Sequence, residues 1–198
     1  MAEMIDSLEP SGRTVASYVL NQHDAAVRVL NPAFLEDGTP VAWRNVGDTP
    51  IRYRSDLQWA ELGIDRRSSL VTEPQTGGLD RGVASALLNI LVDQNSSVEV
   101  SLWEGYGDMT GPAGRGSWTF PPDRVCSTWT ATPNSILESV RIPVRWWDPE
   151  LKWALGNDIY ARSVFLSADV ATIARVLSSP ALEAFPVAFD DPVTPEDR

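Results

Sequence analysis

One cysteine, one histidine and one lysine in 198 residues limit the chemistry this chain can carry. Cys126 alone closes no internal disulfide, which fits a reducing compartment and a cytoplasmic location. His23 would have to serve any Ser–His or Cys–His pair, yet it lies in the polar run Asn21-Gln22-His23-Asp24, which reads as an exposed turn. There is no Gly-x-Ser-x-Gly elbow, and Cys126 sits between Val125 and Ser127 with no activating neighbour in sequence. No catalytic residue is therefore assigned. Metal spacings are missing too: no Cys-x-x-Cys, His-x-x-x-His or Asp-x-Asp-x-Asp-Gly occurs, so no metal and no cofactor is expected. No apolar run approaches the ~18 residues of a membrane span, and the acidic stretch from Met1 to Pro10 lacks the apolar centre of a secretory signal.

Positive charge is also scarce. The formal net charge of −11 disfavours nucleic acid and anionic membranes as partners, because phosphate binding needs a positive field. Fifteen of the sixteen basic residues are Arg, a bias that coding in a GC-rich genome explains without any binding role. What the chain has in excess is tryptophan. Eight indoles are enough to dominate a core, and Trp is also enriched where partners bind.

The hydrophobic pattern predicts a strand over Ala25 to Leu30, stopped by Asn31-Pro32. Val41 to Val46 reads as a short strand or a helix start, and Asp56 to Leu62 as a helical turn or two. The clearest helix is Leu79 to Val92, where Leu79, Val83, Ala86, Leu87, Ile90 and Leu91 form one apolar stripe. Val98 to Trp103 alternates as a strand, Gly105 to Gly116 is a Gly-rich loop, and Val125 to Ala131 is a further strand. Lys152 to Leu155 and Ala161 to Leu166 predict a hairpin around Gly156-Asn157-Asp158. A last helix runs from Asp169 to Leu177 with Ser167 as candidate N-cap. Strands in runs rather than strict alternation with helices predict an α+β domain over residues 14–188, with a mixed or mainly antiparallel sheet and two main helices packed on it. Residues 1–13 and 189–198 read as loosely ordered termini.

The Gly-rich loop lacks the Gly-Lys-[Ser/Thr] ending of a phosphate loop, and Pro112 removes an amide such a loop would use. Two aromatic–acidic segments are the candidate binding sites. One holds Trp103, Glu104, Tyr106 and Asp108; the other holds Trp146 and Trp147, followed by Asp158. Strand ends and loops commonly carry binding residues, and a carboxylate pair with Trp faces would suit a sugar. Each of these residues has an alternative reading, as core tryptophan or turn carboxylate.

At these segments the chain resembles an uncharacterised bacterial family of GC-rich Gram-positive genomes. The likeness rests on Trp103-Glu104-Gly105-Tyr106-Gly107, on Trp146-Trp147-Asp148-Pro149, on Ala154 to Tyr160, and on Leu182-Glu183-Ala184-Phe185-Pro186. Arg28-Val29-Leu30-Asn31-Pro32 resembles the family's early strand, with Asn31 standing where the family has His. Asp148 likewise interrupts the family's Trp-Trp-Pro segment. The resemblance spans most of residues 18–188 and implies a shared single-domain fold, with no activity to carry over.

Three functional expectations follow. The first is a non-catalytic, immunity-like interaction module that neutralises or regulates a basic protein partner, steered by the charge and anchored by aromatics. The second is a small-ligand or carbohydrate-binding domain, with weak hydrolysis by paired carboxylates, which needs Trp103, Tyr106 and Trp147 around one pocket. The third is a structural or assembly accessory protein.

Overall fold

The computed structural model describes residues 2–46, 50–63, 71–93, 96–106 and 116–194. Its centre is an antiparallel sheet of eight strands, the first of which in the chain is β1 (Ala25–Leu30). Two-residue and three-residue strands β2 (Ala33–Leu35), β3 (Pro40–Val41) and β4 (Val71–Thr72) form a separate small sheet. The main sheet continues with β5 (Val98–Trp103), β6 (Gly116–Phe120), β7 (Arg124–Ala131) and β8 (Arg145–Trp147). It is completed by β9 (Trp153–Gly156), β10 (Ser163–Ala168) and β11 (Glu183–Val187). The order across the sheet is β11-β1-β10-β9-β8-β5-β7-β6. The chain is thus a mixture of helix and strand on an antiparallel sheet, larger than the sequence pattern reveals.

The helices are α1 (Ala2–Asp6), α2 (Arg81–Leu91), α3 (Pro133–Glu138) and α4 (Val170–Leu177), of which α2 and α4 are the long ones. Asp80 caps α2, its carboxylate accepting from the backbone N–H of Gly82 and Val83. Of the expected stripe, Leu79, Val83 and Leu87 are buried while Ala86, Ile90 and Leu91 are only partly so; Ala84 and Leu88, outside the expected stripe, complete the buried face. The cap of α4 is Asp169, which accepts from Thr172 N, rather than Ser167. Ser167 is the penultimate residue of β10, and its hydroxyl meets His23 instead.

One face of the sheet is aliphatic. Val27, Val29, Val98, Val100, Leu155, Val164 and Leu166 pack there against Leu87, Ile136, Ile173 and Val176 from α2, α3 and α4. The other face is covered by the N-terminal segment. Met4, Leu8 and Leu20 pack on Phe120, Cys126, Trp147 and Ala154, and Val15, Tyr18 and Val19 pack on Ala26 and Phe165.

The described part of the two ends expected to be loose is packed, and residues 1 and 195–198 lie outside the described residues. Met4 is 1 % exposed, and the segment is stitched to the far end of the chain. Val15 N donates to Asp191 O, Ala16 N to Phe189 O, and Val193 N to Arg13 O. The apolar residues at each end are too few to signal a packed element in sequence, but a sheet with two buried faces needs a cover on both.

Candidate functional site

Across the β5-β7-β6 end of the sheet, Trp103 stands opposite Cys126, and Cys126 opposite Trp118. Alternation puts all three on the face away from the helices. Trp103 is half-buried, Cys126 is buried, and Trp118 on the outermost strand is 37 % exposed. Glycines two residues away let both indoles lie flat: a Cβ at Gly105 would sit 2.2 Å from the Trp103 ring, and one at Gly116 would sit 2.6 Å from Trp118 Nε1.

The Arg124 guanidinium lies 5.8 Å from the Trp103 ring centre and 5.6 Å from that of Tyr160. The same guanidinium reaches Asp158 at 3.4 Å. Asp158 is buried in the β9–β10 connection, where Tyr160 N donates to its other oxygen at 3.2 Å. Tyr106 packs edge-on against Trp103 with ring centres 5.2 Å apart. Its hydroxyl faces the carbonyls of Gly77 and Ile159, and Arg141 lies 4.2 Å from its ring centre. Burial pushes the Tyr106 hydroxyl up to about 12, so it stays a protonated donor to those carbonyls.

The structure therefore brings Trp103, Tyr106 and Asp158 together and separates the other candidates. Glu104 is exposed on the opposite face, accepting from Ser117 Oγ at 2.8 Å and Ser127 Oγ at 3.0 Å. Trp146 is buried against the helices, whereas Trp147 is buried under the N-terminal segment. Neighbours in a strand point to opposite faces, so two adjacent indoles in a sheet covered on both sides become two separate core residues. Asp108 lies outside the described residues.

The small space bordered by Trp103, Tyr106, Arg124, Cys126 and Arg145 measures about 10 Å³, room for one water-sized particle. It admits no sugar, and Trp147 does not border it. A wider hollow of about 300 Å³ lies elsewhere, between Trp43, Ile51, Arg52, Leu57 and Leu62.

His23 is a turn residue, as expected, but its ring is held rather than free. Nε2 lies 2.8 Å from Leu151 O, which can only accept, so Nε2 donates there, and Nδ1 lies 2.7 Å from Ser167 Oγ. Burial raises the Cys126 thiol, keeping it protonated and unreactive.

The residues that sequence reasoning missed are arginines. Arg28 and Arg145 are 2 % and 4 % exposed, both in strands and both under the N-terminal side of the molecule. Arg28 donates to Ser163 Oγ and to the carbonyls of Arg54, Ser55 and Leu57, which fastens the 54–57 loop to the sheet. Arg145 lies between the rings of Tyr18 and Phe120, 5.3 and 4.9 Å from their centres. The signal was present in Ala-Ala-Val-Arg-Val-Leu and Val-Arg-Trp-Trp, where a charge interrupts an otherwise apolar run. Among the described residues no group of three or more His, Cys, Asp or Glu side chains is placed to hold a metal ion, and no helix is long and apolar enough to cross a membrane.

No protein-family model, curated protein or solved structure matches this chain.

Proposed function

We propose that the chain is a non-catalytic interaction module for a basic protein partner, and that its contact region is the β6 end of the sheet. The observation that carries this reading is the contrast between the sheet's two margins. β11 is blunted by Pro186, which offers no N–H to an incoming strand. β6 is Gly-Ser-Trp-Thr-Phe, with neither Pro nor charge, and only β7 pairs with it among the described residues. It displays Trp118 on one face, while Thr119 and the 43 % exposed Val125 lie on the other beside Glu104. An exposed indole on a strand margin is the kind of anchor that partner binding uses, and the net charge of −11 favours a basic occupant.

The test is affinity capture from the source organism with the wild type, Trp118→Ala and Thr119→Pro. Capture of a basic protein by the wild type, weakened about 30-fold or more by Trp118→Ala, is the expected result. Equal capture by all three proteins rejects the β6 margin as the contact region.

The small-ligand reading has one observation of its own, the 300 Å³ hollow by Trp43, which reaches the lower end of ligand-pocket sizes. A compound whose stabilisation of the protein is abolished by the filling substitution Ile51→Trp would favour it.

A further inference from the structure

β6 is built unlike its neighbours. Gly116, Ser117, Trp118 and Thr119 are exposed in succession, so both of its faces are open as well as its margin. No other strand of the main sheet has even two exposed residues in a row. A strand open in this way is a template for pairing with a further one.

Glu104 stands over that template. Its Oε1 accepts from Ser127 Oγ on β7 at 3.0 Å and from Ser117 Oγ on β6 at 2.8 Å, which carries the carboxylate from the end of β5 across β7 to the outermost strand. Oε2 takes no hydrogen bond among the described residues. A strand laid beside β6 would place one residue opposite Ser117 on this same face, with the two Cβ atoms about 5 Å apart. An extended Lys or Arg side chain there reaches the Glu104 carboxylate. The residues before and after it point to the other face, where the Trp118 indole lies back over Gly116 and offers apolar contact. A second copy of the chain is a poor occupant, because it would bring Glu104 and a net charge of −11 against their own kind.

We propose that β6 takes an extended basic segment of the partner as an added strand, and that Glu104 selects a Lys or Arg opposite Ser117, flanked by apolar residues against Trp118. The inference rests on the partner-binding reading and adds to it the mode of attachment and the residue that sets the choice.

Two end-blocked palindromic peptides, Thr-Val-Lys-Val-Thr and Thr-Val-Glu-Val-Thr, test it in NMR titrations of the isotope-labelled protein, their symmetry making strand direction immaterial. The Lys peptide should shift the amides of residues 116–120 and bind about 5-fold tighter than the Glu peptide. Glu104→Gln should weaken the Lys peptide about 3–5-fold. Glu99→Gln removes the same charge from the opposite face of β5 and should change it by less than about 2-fold. Equal affinity of the two peptides, equal weakening by the two variants, or no shift at β6 with millimolar peptide overturns the proposal. If capture of the partner still falls with Trp118→Ala, β6 remains the contact region and only strand addition through Glu104 is lost.

Discussion

The two faces of the central sheet are both buried, but they are built from different chemistry. The helix side is an aliphatic layer in which Trp146 Nε1 is left without a hydrogen-bond partner. The N-terminal side buries Arg28, Arg145, Ser163, Ser167 and Glu183 among its aromatics; Arg28 and Glu183 are hydrogen-bonded to the loops that cover them, while Arg145 Nη1 is left without a partner. Packing defines the first face by shape. The second is defined by hydrogen-bond geometry, which specifies where each covering loop must land. Arg28 fixes the 54–57 loop, and Glu183 fixes the next segment by accepting from Trp43 N, Arg44 N and the Tyr53 hydroxyl.

That contrast predicts a graded set of outcomes. On the helix side, Leu87→Ala should cost about 3–4 kcal/mol in urea unfolding, as a fully buried leucine removed from a packed layer. A loss below about 1 kcal/mol would show that this layer is loosely packed. On the polar face, Glu183→Ala should cost about 2–3 kcal/mol, because it strips a buried carboxylate from three donors. It should also red-shift tryptophan emission as Trp43 meets water, a change Leu87→Ala should not produce. An unshifted spectrum would mean that the 40–62 segment is held by its apolar contacts alone.

The smallest effect belongs to the N-terminal cover. Hydrogen bonds from Ser11 and Ser17 hold the Glu9 carboxyl down at about 2, from an ordinary 4.5. A depressed carboxyl contributes stability above its unfolded value and loses it as pH falls through the folded one. The stability advantage of the wild type over Glu9→Gln should therefore be full at neutral pH, shrink below about 4.5, and vanish near 2. An advantage independent of pH would remove the charge from the explanation.

Elements with a local signal were legible in the sequence. α2 was marked by its stripe and by Asp80, β5 by alternation, and the β9–β10 hairpin by its Gly-Asn-Asp turn. Strands without such a signal were harder to find. β8 is three consecutive buried residues, so Arg145-Trp146-Trp147 shows no alternation to read. β6 and β11 are strands because a neighbour pairs with them: Gly116 and Pro186 both argue locally against the assignment. The candidate site was half legible. Trp103, Tyr106 and Asp158 do meet, but the arginines that join them were hidden by the expectation that charge faces water.

The position of β1 has a consequence for synthesis. Its six residues lie between β10 and β11, whose chains are made some 135 residues or more later. As the protein leaves the ribosome, β1 emerges well before either neighbour and remains without both until they are made. During that interval its run of Ala, Val and Leu is exposed with Arg28 in the middle. A charge in such a strand discourages it from pairing with the wrong chain, so the arginine that ends up deepest in the polar face also protects the strand while it waits.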